Sequence, residues 1–276
     1  MKGFKVYKDT NIFDFLKEFH LGKEKITKLV NGKYYINGLE SKEKFFKKND
    51  IVSFDFSNIT PNNITPFQGN LDILYEDDYL LIVNKPIKIL THPDGNRVDT
   101  LANIIKYYYE ITHQDASVLI VQRLDFETSG VIVFPKDFLT QSYLAYQIEN
   151  NLFEKEYLAI VSGYVKNNKG VINLPIGRNR HDSRKYLVSK TGKSAITHYE
   201  VLKRKNNKTF LKINIKTGRT HQIRVHLSHI GHPIIGDELY GEKQERLYLH
   251  AYKIRFIHPN TKKYIEVVTG DLPWNL

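Results

Sequence analysis

The sequence QRLDFETSG occupies residues 122–130 and lies between two apolar runs, Val118–Val121 and Val131–Phe134. Two short apolar runs joined by a compact polar segment predict a strand, a turn and a second strand. The turn should lie at the edge or mouth of a sheet, where extended backbone sends Arg123 and Asp125 to the same side of the chain. A nearby cation favours the ionised form of a carboxylate. The pattern is therefore typical either of a charged cleft or of a solvated surface turn.

Length and composition are those of an ordinary globular protein. The 276 residues are enough for one large core and a small accessory domain. The chain has no cysteine, which excludes disulfides, thiolate metal ligands and cysteine nucleophiles. No apolar run approaches the roughly 20 residues that cross a membrane, and the N-terminal string MKGFKVYKDT lacks the apolar core of a signal peptide. We expect a cytoplasmic protein that has no membrane partner.

The charge balance favours a polyanionic partner. Lysine and arginine number 41 against 30 aspartate and glutamate residues, which gives a formal charge of +11 at pH 7. The excess is spread along the chain rather than confined to a tail, and nucleic acid is therefore the leading candidate. A lysine-rich composition can also reflect genome bias, so the charge by itself leaves the partner open.

Residues 1–57 predict a small separate unit. Apolar residues at helical spacing predict two short helices. Their apolar positions are Ile12, Phe13, Leu16 and Phe19 in the first, and Ile26, Leu29 and Val30 in the second, which is rich in lysine. Gly32 should end the second helix, and a hairpin should turn at Asn37–Gly38. Residues 58–70 are rich in Asn, Thr and Pro, which indicates a linker before a second domain at residues 71–276.

The second domain alternates strand patterns with helix patterns. The strand patterns are Leu71–Pro86, with two strands around an acidic turn, Lys155–Val165, Thr191–Val201 and Thr209–Ile215; the helix patterns are Thr100–Tyr109 and Asp137–Asn150. Between them, residues 166–193 predict a basic loop. This arrangement predicts an α+β fold that is built on a mixed, mostly antiparallel sheet.

Residues 216–241, KTGRTHQIRVHLSHIGHPIIGDELYG, predict one more helix. It should run from an N-cap at Thr220 to Gly231, with three apolar positions at Ile223, Leu227 and Ile230. Arg224 lies beside that face and can reach into a cleft. The four histidines of this stretch spread around the helix, which disfavours a metal site. No GxxxxGK or GxGxxG loop is present, so no nucleotide cofactor is expected.

Three motifs together resemble the RluA-type pseudouridine synthases, a family of RNA-modifying enzymes. The family signature HRLDxxTSG matches QRLDFETSG except at Gln122, where the family usually has histidine. The other motifs are the KxY pattern at Lys155–Tyr157 and the string GRTHQIRVH at residues 218–226. The resemblance spans residues 71–272. Residues 10–57 are loosely similar to an S4 RNA-binding domain.

The resemblance implies a pseudouridine synthase fold with a central cleft across a curved sheet, and it implies roles for individual residues. Asp125 would be the catalytic carboxylate, Arg224 the arginine that pairs with it, and Tyr157 the ring that stacks on the target base. Arg123 would fill the gap that a flipped uridine leaves. Further RNA contacts are expected at Thr128, Arg219, His221 and Gln222 and, in the S4-like region, at Lys23, Lys25 and Lys28. The isomerisation requires neither a cofactor nor a metal.

The implied function is that of an RNA pseudouridine synthase, an isomerase that acts on uridines in structured RNA. The S4-like region favours ribosomal RNA, in particular 23S, over transfer RNA, and we expect a monomer. Two other functions stay open at this point. One is a catalytically silent, ribosome-associated RNA-binding protein, and the other is a nucleoside or glycoside hydrolase, which would want a second carboxylate at a suitable separation.

Overall fold

The N-terminal part of the chain forms short strands and two helices in a computed structural model, which describes residues 3–57, 64–95, 97–270 and 272–274. Its elements are β1 (Phe4–Lys5), β2 (Thr10–Asn11), α1 (Ile12–Lys17), α2 (Lys23–Asn31), β3 (Tyr34–Ile36), β4 (Leu39–Ser41), β5 (Phe45–Phe46) and β6 (Ile51–Phe54). The strands β1, β6, β3 and β4 form one sheet in that order, and β2 pairs with β5. Both predicted helices and the predicted hairpin turn are confirmed.

Helix α1 buries a different aromatic residue from the one that the sequence pattern predicts. Phe15 is buried, whereas Phe13, expected on the buried face, is 42% exposed. The side chain of Asn11 accepts a hydrogen bond from the Asp14 backbone N–H, and the helix therefore begins at Ile12. The residues three and four positions after Ile12 lie on the buried face of the helix with it. This face includes Phe15 and excludes Phe13.

The remaining described residues contain a large sheet and three helices. Their elements are β7 (Ile73–Glu76), β8 (Leu80–Lys85), α3 (Leu101–Ile111), β9 (Ser129–Pro135), α4 (Phe138–Glu149), β10 (Glu154–Ser162), β11 (Lys169–Asn173), β12 (Ile176–Arg178), β13 (Tyr186–Val188), β14 (Ile196–Lys205), β15 (Lys208–Ile215), α5 (Gln222–His229), β16 (Leu249–Ile257) and β17 (Tyr264–Val268). No helix among the described residues combines the length and the hydropathy needed to cross a membrane.

Nine strands of the described chain form a single sheet. The order is β11-β14-β15-β10-β16-β9-β8-β7, with β17 beside the second half of β16. The neighbours β9 and β16 are parallel, and the other pairs in this sheet are antiparallel. The predicted α+β class with a mostly antiparallel mixed sheet is confirmed.

The register of the sheet places the last residue of the signature motif and the tyrosine of the KxY motif in one row. Gly130 lies opposite Ala251 of β16, and Ala251 lies opposite Tyr157 of β10. Gly130 has a φ of +120°, and a Cβ added there would lie 2.1 Å from the Ala251 carbonyl oxygen. Only glycine fits this position because it tolerates both the backbone conformation and the close approach. The last residue of QRLDFETSG is thus fixed by strand pairing.

The prediction of a strand at Val118–Val121 is wrong. This segment has no regular strand pairing. The backbone N–H of Ser117 donates to the Lys136 carbonyl, and that of Leu119 to the Pro135 carbonyl. The reciprocal bonds of a ladder cannot form, because proline has no N–H and the Lys136 N–H donates to Tyr79 instead. The segment before the signature motif is therefore extended but irregular.

Two further expectations need correction. Residues 166–193 are not one loop, since they contain β11, β12 and β13. Thr220 is not the N-cap of α5, which begins at Gln222 after His221 in the left-handed conformation, with φ of 54°. Alternation in very short strands is too brief to be recognised, and the left-handed conformation of His221 shifts the start of the helix by one residue. The other helix and strand patterns of the second domain are confirmed.

The N-terminal elements pack against the turn between β7 and β8 and against α4. The ring centroid of Phe4 lies 5.0 Å from that of Tyr79, and the Phe19 ring lies 6.1 Å from the Tyr143 ring. The buried apolar residues of both parts form one continuous cluster. Of the predicted linker, residues 58–63 lie outside the described residues, while the Thr65 carbonyl accepts a hydrogen bond from the Asn103 side chain of α3.

Asp77 joins two turns at one edge of the sheet. Its carboxylate accepts hydrogen bonds from the backbone N–H groups of Tyr79 and Leu80 at 2.7 and 2.9 Å, and from Tyr75 Oη at 2.7 Å. His258 Nε2, from the turn after β16, donates at 2.8 Å. Burial alone would raise the pKa of Asp77, but these hydrogen bonds lower it to about 2.

We predict that Asp77→Asn lowers the free energy of unfolding by roughly 2 kcal/mol at pH 7. The pKa of the folded state lies below the unfolded value, so this contribution is present above about pH 4 and is lost as the pH falls towards 2. Urea unfolding of both proteins at pH 7 and pH 3 measures the effect. An equal difference between variant and wild type at the two pH values would contradict the electrostatic origin.

Candidate active site

A cleft of about 830 Å³ opens beside the row that contains Tyr157. Its walls come from distant parts of the chain, namely the signature loop before β9, the first half of β10, the loop after β15 and the first turn of α5. The sequence-predicted residues that line it are Arg123, Asp125, Thr128, Tyr157, Arg219, His221, Gln222 and Arg224. The other three, Lys23, Lys25 and Lys28, lie on α2 and outside this cleft.

The electrostatic centre of the cleft is a chain of three charged side chains. Arg224 donates from Nε and Nη2 to the two carboxylate oxygens of Asp237, both at 2.8 Å. Its third nitrogen, Nη1, faces Asp125 Oδ2 at 3.5 Å. The Asp237 side chain is fully buried, whereas that of Asp125 is 28% exposed. One aspartate therefore holds the arginine, and the arginine presents its remaining edge to the accessible aspartate.

The turn that contains Asp237 holds its carboxylate in place through backbone hydrogen bonds. Asp237 Oδ1 also accepts hydrogen bonds from the backbone N–H groups of Leu239 and Tyr240, each at 3.1 Å. The Tyr240 ring lies under the guanidinium, whose carbon is 5.2 Å from the ring centroid. Burial by itself lowers the pKa of Arg224, but the Asp237 hydrogen bonds outweigh it and raise the pKa above its ordinary value. Arg224 is a fixed cation in one orientation.

Gln222 anchors the start of α5 against the sheet. Its Oε1 accepts from Thr217 Oγ1 at 2.7 Å and from the Arg219 backbone N–H at 3.1 Å. Its Nε2 donates to the Ile196 carbonyl at 3.0 Å. Gln222 is 3% exposed, and its side-chain amide makes these hydrogen bonds within the protein. These hydrogen bonds fix the first turn of α5 against the sheet, and Arg224 lies in that turn. This explains why the motif has a glutamine at residue 222.

His221 lies next to Asp125, and the hydroxyl of Tyr240 contacts its other ring nitrogen. Its Nδ1 is 2.9 Å from Tyr240 Oη, which accepts a hydrogen bond from the Tyr186 backbone N–H at 2.8 Å. The other ring nitrogen, Nε2, lies 3.9 Å from Asp125 Oδ2. Burial is the main cause that lowers the pKa of His221, although Asp125 opposes it.

Tyr157 forms part of the apolar wall of the cleft. It lies at a β-bulge, because the pairing of β10 with β16 shifts between Glu156 and Tyr157. Only 8% of its surface is exposed. Burial first, and the charge of Asp125 second, raise the pKa of its phenol well above the usual range. The Tyr157 side chain is therefore a neutral phenol in the wall of the cleft.

Two residues of the signature loop remain without partners in the described chain. Arg123 lies at the exposed edge of the cleft, and no ion pair joins it to Asp125 among the described residues, so Arg224 and not Arg123 is the neighbouring guanidinium. Thr128 is 2% exposed, and its hydroxyl has no hydrogen-bond partner among the described residues. Arg219, which also lines the cleft, donates from Nε to the Ser194 carbonyl at 2.9 Å.

Asp237 and Tyr240 are the residues that sequence reasoning missed. Both belong to the string GDELYG at residues 236–241, which begins seven residues after the last residue of α5, and Gly236 before them has a φ of +77°. A polar turn with a glycine is a weak signal, because such strings are common in surface loops. Nothing in the spacing reveals that a carboxylate 13 residues after Arg224 turns back to bind it. Among the described residues, no group of His, Asp or Glu converges as a metal site would require.

Comparisons with known proteins agree on one family. A family model described as RNA pseudouridylate synthase matches residues 79–229. The chain is 42% identical to YhcT, an uncharacterised RNA pseudouridine synthase of Bacillus subtilis, over 83% of this chain and 76% of the relative. It is 36% identical to the ribosomal large subunit pseudouridine synthase D of Haemophilus ducreyi, over 71% of this chain and 66% of that protein. Human RNA pseudouridylate synthase domain containing 1 has a similar structure, with a TM-score of 0.62 and 28% identity over 78% of this chain and 88% of that one.

We predict stability effects of different size for the two aspartates that flank Arg224. Asp237→Asn leaves a buried guanidinium without its charge partner and should lower the free energy of unfolding by about 3 kcal/mol or more. Asp125→Asn removes a partly exposed carboxylate at a longer distance and should change it by less than about 1 kcal/mol. Urea unfolding of the two variants measures both effects. Equal losses would contradict the separate roles of anchor and accessible group.

Proposed function

This chain belongs to the RNA pseudouridylate synthase family and is an RNA pseudouridine synthase, an isomerase that acts on uridine in RNA; within that reaction, we propose that Asp125 is the catalytic carboxylate, with Arg224 and Tyr157 as its partners. The observation that carries the proposal is the meeting of these three side chains in one cleft. Arg224 Nη1 lies 3.5 Å from Asp125 Oδ2, and Tyr157 lines the same cavity.

The chemistry explains why this set is sufficient. The bond from ribose C1′ to uracil N1 breaks, and a bond from C1′ to C5 forms. The hydrogen on C5 leaves as a proton, and N1 gains a proton, so that no atom or electron is gained or lost overall. The reaction needs an anionic group beside the nucleoside, a surface that holds the detached base, and exclusion of water.

Each proposed role rests on the geometry of its residue. Asp125 is the accessible carboxylate of the cleft, and Arg224 faces it as a fixed cation that favours its ionised form. Tyr157 offers an uncharged ring on which uracil can stack. The cavity, at about 830 Å³, falls within the roughly 300 to 1,000 Å³ of small-molecule pockets. It can therefore admit a nucleotide that has left its helix.

Arg123 is proposed as the residue that replaces the extruded base. Flipping a paired or stacked nucleotide costs a few kcal/mol, and a side chain that fills the vacancy offsets part of that cost. Arg123 is exposed at the edge of the cleft two residues before Asp125. Its guanidinium can stack on neighbouring bases and bind phosphate. Thr128, whose buried hydroxyl lacks a partner, and Arg219 are proposed as further substrate contacts.

We propose 23S ribosomal RNA as the substrate and residues 1–57 as an S4-like RNA-binding domain joined by the linker 58–70 to the catalytic residues 71–276. Support for the substrate comes from relatives such as the Haemophilus ducreyi protein, whose name specifies the large ribosomal subunit. Lys23, Lys25 and Lys28 are exposed on α2, where they can bind RNA phosphates. Transfer RNA is the second candidate.

We predict that Asp125→Asn abolishes turnover, by at least about a thousandfold, while RNA binding is kept. The assay is release of tritium from RNA that carries uridine labelled at C5 and comes from cells without this gene. Glu127→Gln is the matched control, since that carboxylate is two residues away and does not line the cleft. Near-normal release by Asp125→Asn would contradict the catalytic role, and free uracil as the product would indicate a hydrolase.

We predict that cells without this gene lack one or more pseudouridines in 23S ribosomal RNA. Mapping of pseudouridines in ribosomal and transfer RNA, with and without the gene, tests the proposed substrate. A wild-type copy should restore the missing modification and Asp125→Asn should not. A copy in which Lys23, Lys25 and Lys28 are all changed to Gln should restore it only partly. Loss confined to transfer RNA would overturn the ribosomal substrate.

A further inference from the structure

Lys155 is a buried cation that the reaction described so far does not use. It lies on β10 two residues before Tyr157, and 8% of its surface is exposed. The structure gives its ammonium no carboxylate within 4 Å and no hydrogen bond among the described residues. Burial lowers the pKa of Lys155 to about 8. The charged form still predominates at neutral pH, although the protein leaves it unneutralised.

Every other buried lysine or arginine of the described chain has its partners within the protein. Lys85 donates to the carbonyls of Pro86 and Ile89 at 3.0 and 2.9 Å, and Lys136 binds Glu76 at 2.7 Å. Arg224 binds Asp237. Burial of a charge without a partner is costly, and proteins keep such a group where a ligand completes it. In this set of buried cations, Lys155 is the one whose N–H donors have no acceptor among the described residues.

The position of Lys155 is at the junction of two cavities. It lines the main cleft and also a side pocket of about 100 Å³, to which Lys216 contributes as well. A Cβ added at Gly218 would lie 3.8 Å from Lys155 Nζ, so the ammonium lies beneath the loop that carries Lys216 and Arg219. A strand of RNA whose nucleotide enters the main cleft can continue along this basic edge.

We propose that Lys155 binds a backbone phosphate next to the flipped uridine and so holds the nucleotide in register with Tyr157 and Asp125. This rests on the function proposed above. Uracil offers neutral carbonyl oxygens, which can accept a hydrogen bond but cannot neutralise the ammonium. A phosphate supplies a full negative charge with several acceptor oxygens, and the match is strengthened by the low dielectric of a buried site. Lys155 is thus a positioning residue.

The test compares Lys155→Met and Lys155→Arg with the wild-type enzyme on RNA labelled at uridine C5. Lys155→Met should weaken apparent RNA affinity roughly tenfold, as for loss of one charge-assisted hydrogen bond, while Lys155→Arg should restore most of it. The slope of log affinity against log salt should become shallower by about 0.7, the value for one phosphate of a single strand. Lys169→Gln, which removes an exposed lysine paired with Glu200 on a distant edge strand, should leave the slope unchanged.

The outcomes separate this proposal from the proposed function. If the wild-type enzyme releases no tritium, the function itself fails. If it does so and Lys155→Met has the same affinity and the same salt slope, the phosphate contact is wrong. A loss of turnover in Lys155→Met at saturating RNA with an unchanged salt slope would also overturn it, because that pattern indicates a structural or chemical role. Thermal melting of each variant controls for folding, and Lys155→Arg keeps the test valid if Lys155→Met does not fold.

Discussion

The bidentate pairing of Arg224 with the fully buried Asp237 is the constraint on which the active site depends. A guanidinium alone in a cleft could adopt many rotamers and could collapse onto any carboxylate. Here two of its nitrogens are committed to Asp237, and Tyr240 lies under its plane. The third nitrogen is left to face Asp125. The pair with Asp237 therefore places a positive charge 3.5 Å from the accessible carboxylate of Asp125 and leaves that carboxylate free of a close, bidentate ion pair.

The charges around the cleft suit the entry of a polyanion. Arg123 at the edge has no ion-pair partner recorded among the described residues, Lys155 is buried without one, and His221 is disfavoured as a cation by burial. The cleft thus has cations at its edge and beside its floor, while burial favours the neutral forms of His221 and Tyr157. Under the proposed roles, binding of RNA would be electrostatic and sensitive to salt, and the chemistry would depend on one carboxylate.

The sheet brings the pieces together through its register. The row that runs from Gly130 through Ala251 to Tyr157 joins three segments that are far apart in the chain. Two small residues in this row let the parallel strands β9 and β16 approach closely, which brings the loop of Asp125 beside the ring of Tyr157. The N-terminal elements pack against the same core through Phe4 and Phe19.

The sequence by itself determined the mixed sheet, most helices and strands and the family, because apolar periodicity and short motifs are local properties. It also drew attention to Asp125, Tyr157 and Arg224, whose neighbours in the chain form recognisable strings. It missed the irregular segment at Val118–Val121, where a proline and a competing acceptor remove the ladder. Only the tertiary structure decided that Asp237 anchors Arg224 and that the Lys155 ammonium has no partner in the part of the chain that the structure describes. Both facts depend on which side chains meet in the folded protein. Contacts between residues that are distant in the chain produce no periodic pattern in the sequence, so they cannot be predicted from it.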